Sequence, residues 1–147
     1  MQTIRTYYSL LSFVNESEDA ARLHYLKHFG LTDEGIQSLP LRPENRAYVD
    51  SMIEAAKNGE CMMACLPCML SYGWIFQKLL EEKPSVQDTL YGALVVDYAD
   101  KGYEAACRDW AAFAEKVCEG LSDERLARCR EIFHACSEHE LNFWAMA

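Results

Sequence analysis

From Glu60 to Leu80 the sequence reads ECMMACLPCMLSYGWIFQKLL, almost wholly apolar. A helix that is apolar on every side is covered on every side, so this segment is expected to run through the middle of the domain. Lys83 and Pro84 end the pattern.

The flanking sequence supplies amphipathic helices to cover it. Leu23, Tyr25, Leu26 and Phe29 follow a helical period that begins near Glu16 and stops at Gly30, the usual left-handed terminator. GLTDEG then restarts a short turn, and LPLRPEN carries two prolines within four residues. Glu44 to Lys57 resumes a helical pattern with Tyr48, Met52 and Ala55 or Ala56 on its apolar face, and breaks at Gly59. Ser85 to Tyr98, Tyr103 to Glu119 and Ser122 to the C-terminus read as three further helices. Ser122 is a natural N-cap, and Asp123 and Glu124 follow in the first turn, where the helix dipole favours negative charge. No alternating strand pattern, internal repeat or low-complexity linker interrupts this order. The expectation is one all-α domain over residues 1–147.

Composition narrows the function classes. A chain of 147 residues fills one ordinary domain, and a domain of that size buries roughly 68 to 70% of its unfolded surface. Nothing approaches the roughly 18 uninterrupted apolar residues of a membrane span. MQTIRTYYSLLSFVNESEDA has one arginine and no small-residue cleavage site, so it is not read as a secretory signal and a cytoplasmic location is expected. In that compartment the cysteines are expected to be reduced, and an odd count of seven does not suggest a complete disulfide framework. A net charge of −9, with 14 Lys and Arg scattered along the chain, argues against a nucleic-acid partner.

The octapeptide CMMACLPC places Cys61, Cys65 and Cys68 in a C-x3-C-x2-C arrangement. That spacing can hold an iron–sulfur cluster on a loop after the first strand of a large α/β barrel, but no strand is read before Cys61. On a helix the three share one face instead, because i, i+4 and i+7 recur at the helical period. Cys61 and Cys65 then read as small buried hydrophobes. Cys68 follows Pro67, whose ring excludes the carbonyl one turn back, so the helix is expected to open there and present a thiol to the interior.

A second feature lies in EIFHACSEHELNFWAMA. One helical face gives Phe133, Cys136, Glu140, Phe143 and Trp144, which puts a carboxyl group inside an aromatic stripe. Such a group is costly unless paired or put to use. It is either one half of a structural ion pair or a proton donor and acceptor whose pKa is raised by apolar surroundings. Glu131 and His134 form an E-x-x-H pair of the kind found in helical di-iron proteins, but the second pair and the two further inward glutamates are not evident, so no metal is expected.

Taken together these segments resemble the TenA family, also called thiaminase II. ACLPCMLSYGWIFQKL is similar to the family's central helix, with a proline and cysteine opening it and Tyr72 one turn later. IFHACSEHELNFWAMA resembles its closing helix, in which a glutamate precedes an aromatic pair and Met-Ala. DYADKGYEAACRDW resembles the segment bearing an active-site tyrosine, and RAYVDSMIEAAKNG the preceding Tyr helix. The likeness runs from about Glu16 to Ala147. It implies a haem-oxygenase-like helical bundle that lacks the family's first helices. It also implies a cofactor-free hydrolysis of an aminopyrimidine or thiamine derivative, releasing 4-amino-5-hydroxymethyl-2-methylpyrimidine in thiamine salvage. Carried over by resemblance, Cys68 is the nucleophile and Glu140 the acid and base. Tyr72 and Tyr98 hydrogen-bond in the pocket, and Tyr48 and Phe143 sandwich the ring.

Two departures from the family stand out. MQTIRTYYSL offers neither the aspartate nor the tyrosine that the family's early helices supply to the pyrimidine, and NGECMMACLPC is about three residues shorter than usual. A bundle short of helices exposes apolar surface, which self-association or another partner chain is expected to cover. Three readings follow: an aminopyrimidine hydrolase, a non-catalytic pyrimidine-binding or interaction protein on the same fold, and a metal or cluster protein.

Overall fold

The fold is given by a computed structural model, in which residue 20 and residues 22–146 are described. The readings made on MQTIRTYYSL, on the leader and on a helix start at Glu16 lie outside the described residues. The chain divides into two compact units, Met1–Leu41 and Arg42–Ala147.

In the first unit, residues 22–29 form α1, which stops at Gly30 with φ 64°. There the Leu31 amide reaches back to the Leu26 carbonyl at 2.8 Å. A short α2 (Asp33–Gln37) follows, with the Thr32 hydroxyl accepting from the Gly35 amide at 3.1 Å.

The second unit contains α3 (Pro43–Lys57), α4 (Cys61–Glu82), a 3₁₀ turn (Pro84–Asp88), α5 (Gly92–Ala99), α6 (Lys101–Cys118) and α7 (Asp123–Trp144). Among the described residues there is no strand. The apolar α4 is the axis, packed against α3, α5, α6 and α7. Met62, Met63, Ala64, Leu66, Met69 and Phe76 of α4 are buried beside Val95, Trp110, Phe113, Ile132 and Cys136. Burying each large apolar side chain of this kind contributes about 1.5–3 kcal/mol before conformational entropy is counted. Cover is not complete on every side, since Trp74 is 65% exposed.

Register is fixed by a few named contacts. Arg42 donates to the Met146 carbonyl at 2.7 Å, and Ser51 Oγ lies 3.9 Å from Cys136 Sγ, so α3 runs antiparallel to α7. Glu60, at the head of α4, sits between Arg125 and Arg128 of α7, at 4.0 and 3.6 Å. At the other end Tyr72 and Phe76 meet Trp144, so α4 and α7 run parallel. Caps follow the sequence: Ser122 accepts from the Arg125 amide, and Asp100 accepts from the Gly102 amide at 2.6 Å.

Two local expectations are corrected. The helix read over Ser85 to Tyr98 is a 3₁₀ turn followed by α5. Pro84 starts the turn, and Gly92 starts α5 where a Cβ would lie 1.9 Å from the Gln87 carbonyl oxygen, so the chain folds back on itself between them. Nor does the central helix open at Pro67: α4 is continuous through it. Pro67 supplies no N–H to the Met63 carbonyl, but it is buried in the most closely surrounded helix of the unit, whose neighbours hold the helical path.

Candidate functional site

Glu140 projects from α7 into the interior and, at 4% exposed, is the one charged residue buried among the described residues. Its Oε1 accepts a hydrogen bond from the Tyr48 hydroxyl at 2.6 Å, and its Oε2 has no hydrogen-bond partner among the described residues. The antiparallel pairing of α3 and α7 brings these residues together across 92 positions of sequence. Burial pushes the Tyr48 hydroxyl well above the ordinary tyrosine range, and the hydrogen bond and charge of Glu140 push it further, with Cys68 and Cys136 adding to the effect. Tyr48 is therefore a fixed proton donor to Glu140 at any working pH. It also lies within electrostatic reach of Cys68, which is half-buried on α4.

The other aromatic residues gather beyond Cys68. Tyr72, one turn further along α4, has its ring centroid 5.1 Å from Tyr98 of α5 and 5.2 Å from Trp144 of α7. Phe76 stacks on Tyr98 at 5.3 Å, and Tyr98 meets Tyr103 edge-on at 4.9 Å. The turn after Cys68 is held from α6, where the buried Tyr103 hydroxyl and the Cys107 thiol both donate to the Met69 carbonyl, at 3.2 and 3.3 Å. That approach needs Gly73, because a Cβ there would lie 3.1 Å from Cys107 Sγ and 3.3 Å from the Tyr103 ring.

Among the sequence-derived candidates, Tyr48 and Glu140 are thus joined directly, Cys68 lies within electrostatic reach of Tyr48, and the Tyr72 and Tyr98 rings are in contact. Phe143 is half-buried near the end of α7. The Tyr48 ring stacks on His139 at 5.4 Å with 16° between the planes. Two surface cavities, of about 300 and about 220 Å³, have linings that include neither Cys68 nor Glu140. The first is lined by Met63, Cys118, Cys129 and Phe133 among others, and the second lies along α3 and α7.

The remaining thiols and the E-x-x-H pair are accounted for separately. No disulfide joins any of the seven cysteines. Cys61 and Cys65 are half-buried with sulfurs 3.7 Å apart, and Cys65 is pushed up to about 12 by burial first and by Cys61 second. Cys136 is fully buried one turn before Glu140, and burial raises it too. Thiols held protonated in this way are poor nucleophiles and poor metal ligands. Glu131 and His134 are exposed and turn to different partners, Arg128 and Glu138. Among the described residues no three His, Cys, Asp or Glu are grouped to hold a metal.

Residues 8–147 match the TENA/THI-4/PQQC family. The chain belongs to that family. This TENA/THI-4/PQQC protein is similar to the aminopyrimidine aminohydrolase of Helicobacter pylori, with 25% identity over 98% of this chain and 68% of that protein. It is similar also to the aminopyrimidine aminohydrolase of Halalkalibacterium halodurans, with 28% identity over 100% of this chain and 67% of that protein. A crystal structure described as a TenA family transcription regulator from Silicibacter sp. TM1040 superposes with a TM-score of 0.75 at 28% identity. That superposition covers 88% of this chain and 60% of the other. The chain therefore spans about two thirds of the length of its hydrolase relatives and less of the solved structure.

Sequence reasoning missed several residues of this TENA/THI-4/PQQC site. His139 is the neighbour of Glu140 in sequence, and only the α3–α7 register reveals that it meets Tyr48. Phe76 was detectable as the helical i+4 partner of Tyr72. Tyr103 and Cys107 carried no such signal, because their role depends on the close approach at Gly73.

Proposed function

We propose that the chain is a thiaminase II-like hydrolase that releases 4-amino-5-hydroxymethyl-2-methylpyrimidine from an aminopyrimidine bearing an amine on its exocyclic methylene. The observation that carries this reading is the state of Glu140: it is buried, tied by one oxygen to Tyr48, and has its second oxygen without a hydrogen-bond partner among the described residues. A buried carboxyl oxygen left in that condition costs free energy unless something binds to it. An amidine-like ring nitrogen of a pyrimidine is a suitable occupant.

In this reading Cys68 attacks a ring carbon as the thiolate, and the displaced electron pair goes to a ring nitrogen, which takes a proton from Glu140. The electron pair of the ring's amino group then pushes out the amine, which breaks the C–N bond and leaves an exocyclic methylene on the still non-aromatic ring. Water then adds to the methylene carbon, Glu140 takes the proton back, and the Cys68–carbon bond breaks to restore the thiolate. The balance is protonated amine plus water giving alcohol plus ammonium. Tyr48 orients Glu140 through its hydroxyl, and with Phe143 it offers the faces between which a flat ring can lie. Tyr72, one turn from Cys68, and Tyr98, whose ring meets Tyr72, would supply hydroxyl groups to the bound ring.

The product would feed thiamine salvage in the cytoplasm. Self-association is part of this proposal and is supported by exposed apolar side chains such as Trp74 and Leu141, 65% and 70% exposed.

The test is incubation of purified protein with 4-amino-5-aminomethyl-2-methylpyrimidine, following the hydroxymethyl product by mass spectrometry and ammonium by a coupled assay. Stoichiometric appearance of both, lost in Cys68→Ser, is expected. Binding of the pyrimidine without turnover would instead assign the chain to the non-catalytic reading.

A further inference from the structure

We propose that His139 is a positioning residue, whose imidazole fixes the plane of the Tyr48 ring and so holds the Tyr48 hydroxyl on Glu140. The inference rests on the proposed hydrolase reading and adds to it a residue that does not itself touch the substrate.

The geometry is specific. His139 and Glu140 are consecutive on α7, and consecutive helical side chains diverge rather than face each other. Tyr48 nevertheless meets both. Its ring face lies on the imidazole, with centroids 5.4 Å apart and planes 16° from parallel, while its hydroxyl reaches Glu140 Oε1 at 2.6 Å. One dipeptide of α7 therefore grips a single side chain of α3 in two directions. The second grip matters because a tyrosine is long. A swing of about 15° at χ1, which stays inside one rotamer well, carries the hydroxyl more than about 1 Å and so lengthens and bends its bond to Glu140. The bond to Glu140 restrains the hydroxyl along its own direction only, whereas a flat neighbour on the ring face restrains rotation across it. An offset stack of two aromatic rings at this separation is a favoured arrangement. Among the described residues Glu140 has no hydrogen-bond partner on Oε2, so Tyr48 is the contact there that aims the carboxyl group.

The required property is flatness, not basicity. His139→Phe is therefore expected to behave like the native residue, while His139→Ala and His139→Leu lose the restraint. With the aminomethylpyrimidine as substrate, His139→Ala is expected to lower kcat by about tenfold or more, as misplacement by about an ångström does, with a smaller change in KM. His139→Phe is expected to stay within about threefold of the native rate.

The decisive comparison is the effect of His139→Ala in a Tyr48→Phe background. There the ring can still stack but has no hydroxyl to aim, and the alanine change is expected to have no further effect. A kcat for His139→Ala within about twofold of native, or an effect that persists undiminished in the Tyr48→Phe background, overturns the inference. His139→Leu repeats the comparison if the alanine variant does not fold.

A spectroscopic measurement separates this inference from the hydrolase reading. The hydroxyl proton of Tyr48, shifted downfield by its bond to Glu140 and assigned by its absence in Tyr48→Phe, is expected in the proton NMR spectrum of the native and His139→Phe proteins. It is expected to broaden or vanish in His139→Leu. Native protein that shows this behaviour but releases no pyrimidine refutes the hydrolase reading alone; an unchanged hydroxyl signal in His139→Leu refutes the role of His139 alone.

Discussion

Tyr48→Phe removes one oxygen and leaves the ring, its burial and its stack on His139 in place. The lost group is the hydroxyl that donates to Glu140 Oε1 at 2.6 Å. Because Oε2 has no hydrogen-bond partner among the described residues, the variant leaves a buried carboxyl group with neither oxygen held by them. A hydrogen bond to a carboxyl group of this kind contributes about 2 kcal/mol. For a chain of this size each kcal/mol moves Tm by about 2–4 °C, so a fall of about 4–8 °C is expected. If the same bond aims Glu140 in the transition state, about 2 kcal/mol corresponds to about a thirtyfold fall in kcat. Differential scanning calorimetry and steady-state kinetics on the same preparations measure both. The control is Glu140→Gln, in whose background Tyr48→Phe should cost less stability, since the two residues act as a pair. A Tm within about 1 °C of native together with an unchanged kcat would show that the bond neither stabilises the α3–α7 contact nor orients the acid.

Further outcomes are expected elsewhere in the chain. Gly92→Ala brings a Cβ within 1.9 Å of the Gln87 carbonyl oxygen, a backbone atom that cannot swing aside, and should destabilise by about 1–3 kcal/mol in urea unfolding; a midpoint equal to native would mean that the turn between Pro84 and Gly92 adjusts freely. Alkylation with iodoacetamide at pH 8, mapped by peptide mass, should leave Cys65 and Cys136 the slowest to react, since burial holds both thiols protonated. The same shift has a consequence for stability. Cys65 rises from 9.0 to about 12 on folding, so the folded chain keeps a proton that the unfolded chain releases. Its contribution is complete below pH 9 and is lost as pH climbs from 9 towards 12. Cys65→Ala should flatten that part of the stability profile; an identical alkaline slope would rule out Cys65 as its source.

The helical class and the place of α4 were legible because the sequence of α4 is apolar around its whole circumference, which leaves no solvent face to choose. The ends of helices were legible where a single residue does the work: Gly30 and Gly59 take φ of 64° and 72°, and Ser122 caps α7. What was not legible depended on two segments meeting. The turn ahead of α5 is set by the contact between Gly92 and the Gln87 backbone, and nothing in the periodicity of Ser85 to Tyr98 records it. At Pro67 the local rule favoured an opening, and the surrounding helices overrode it. The same division holds at the site. Glu140 was conspicuous as an acid in an apolar stripe and Cys68 as a thiol after a proline, both properties of one segment. That Tyr48 would be the group joining Glu140 to the neighbourhood of Cys68, and that His139 would lie against it, follows from the antiparallel register of α3 and α7, which is set at distant points such as Arg42 with Met146.

The central claim is that Cys68 and Glu140 serve one pyrimidine in one site. Kinetics of Cys68→Ser, Glu140→Gln and the double variant with the aminomethylpyrimidine address it most directly, because groups that act as a unit are not additive. Each single change is expected to lower kcat/KM by about a thousandfold, and the double variant to be no slower than the slower single one. Product release that is indifferent to Cys68, or losses that multiply in the double variant, would contradict it.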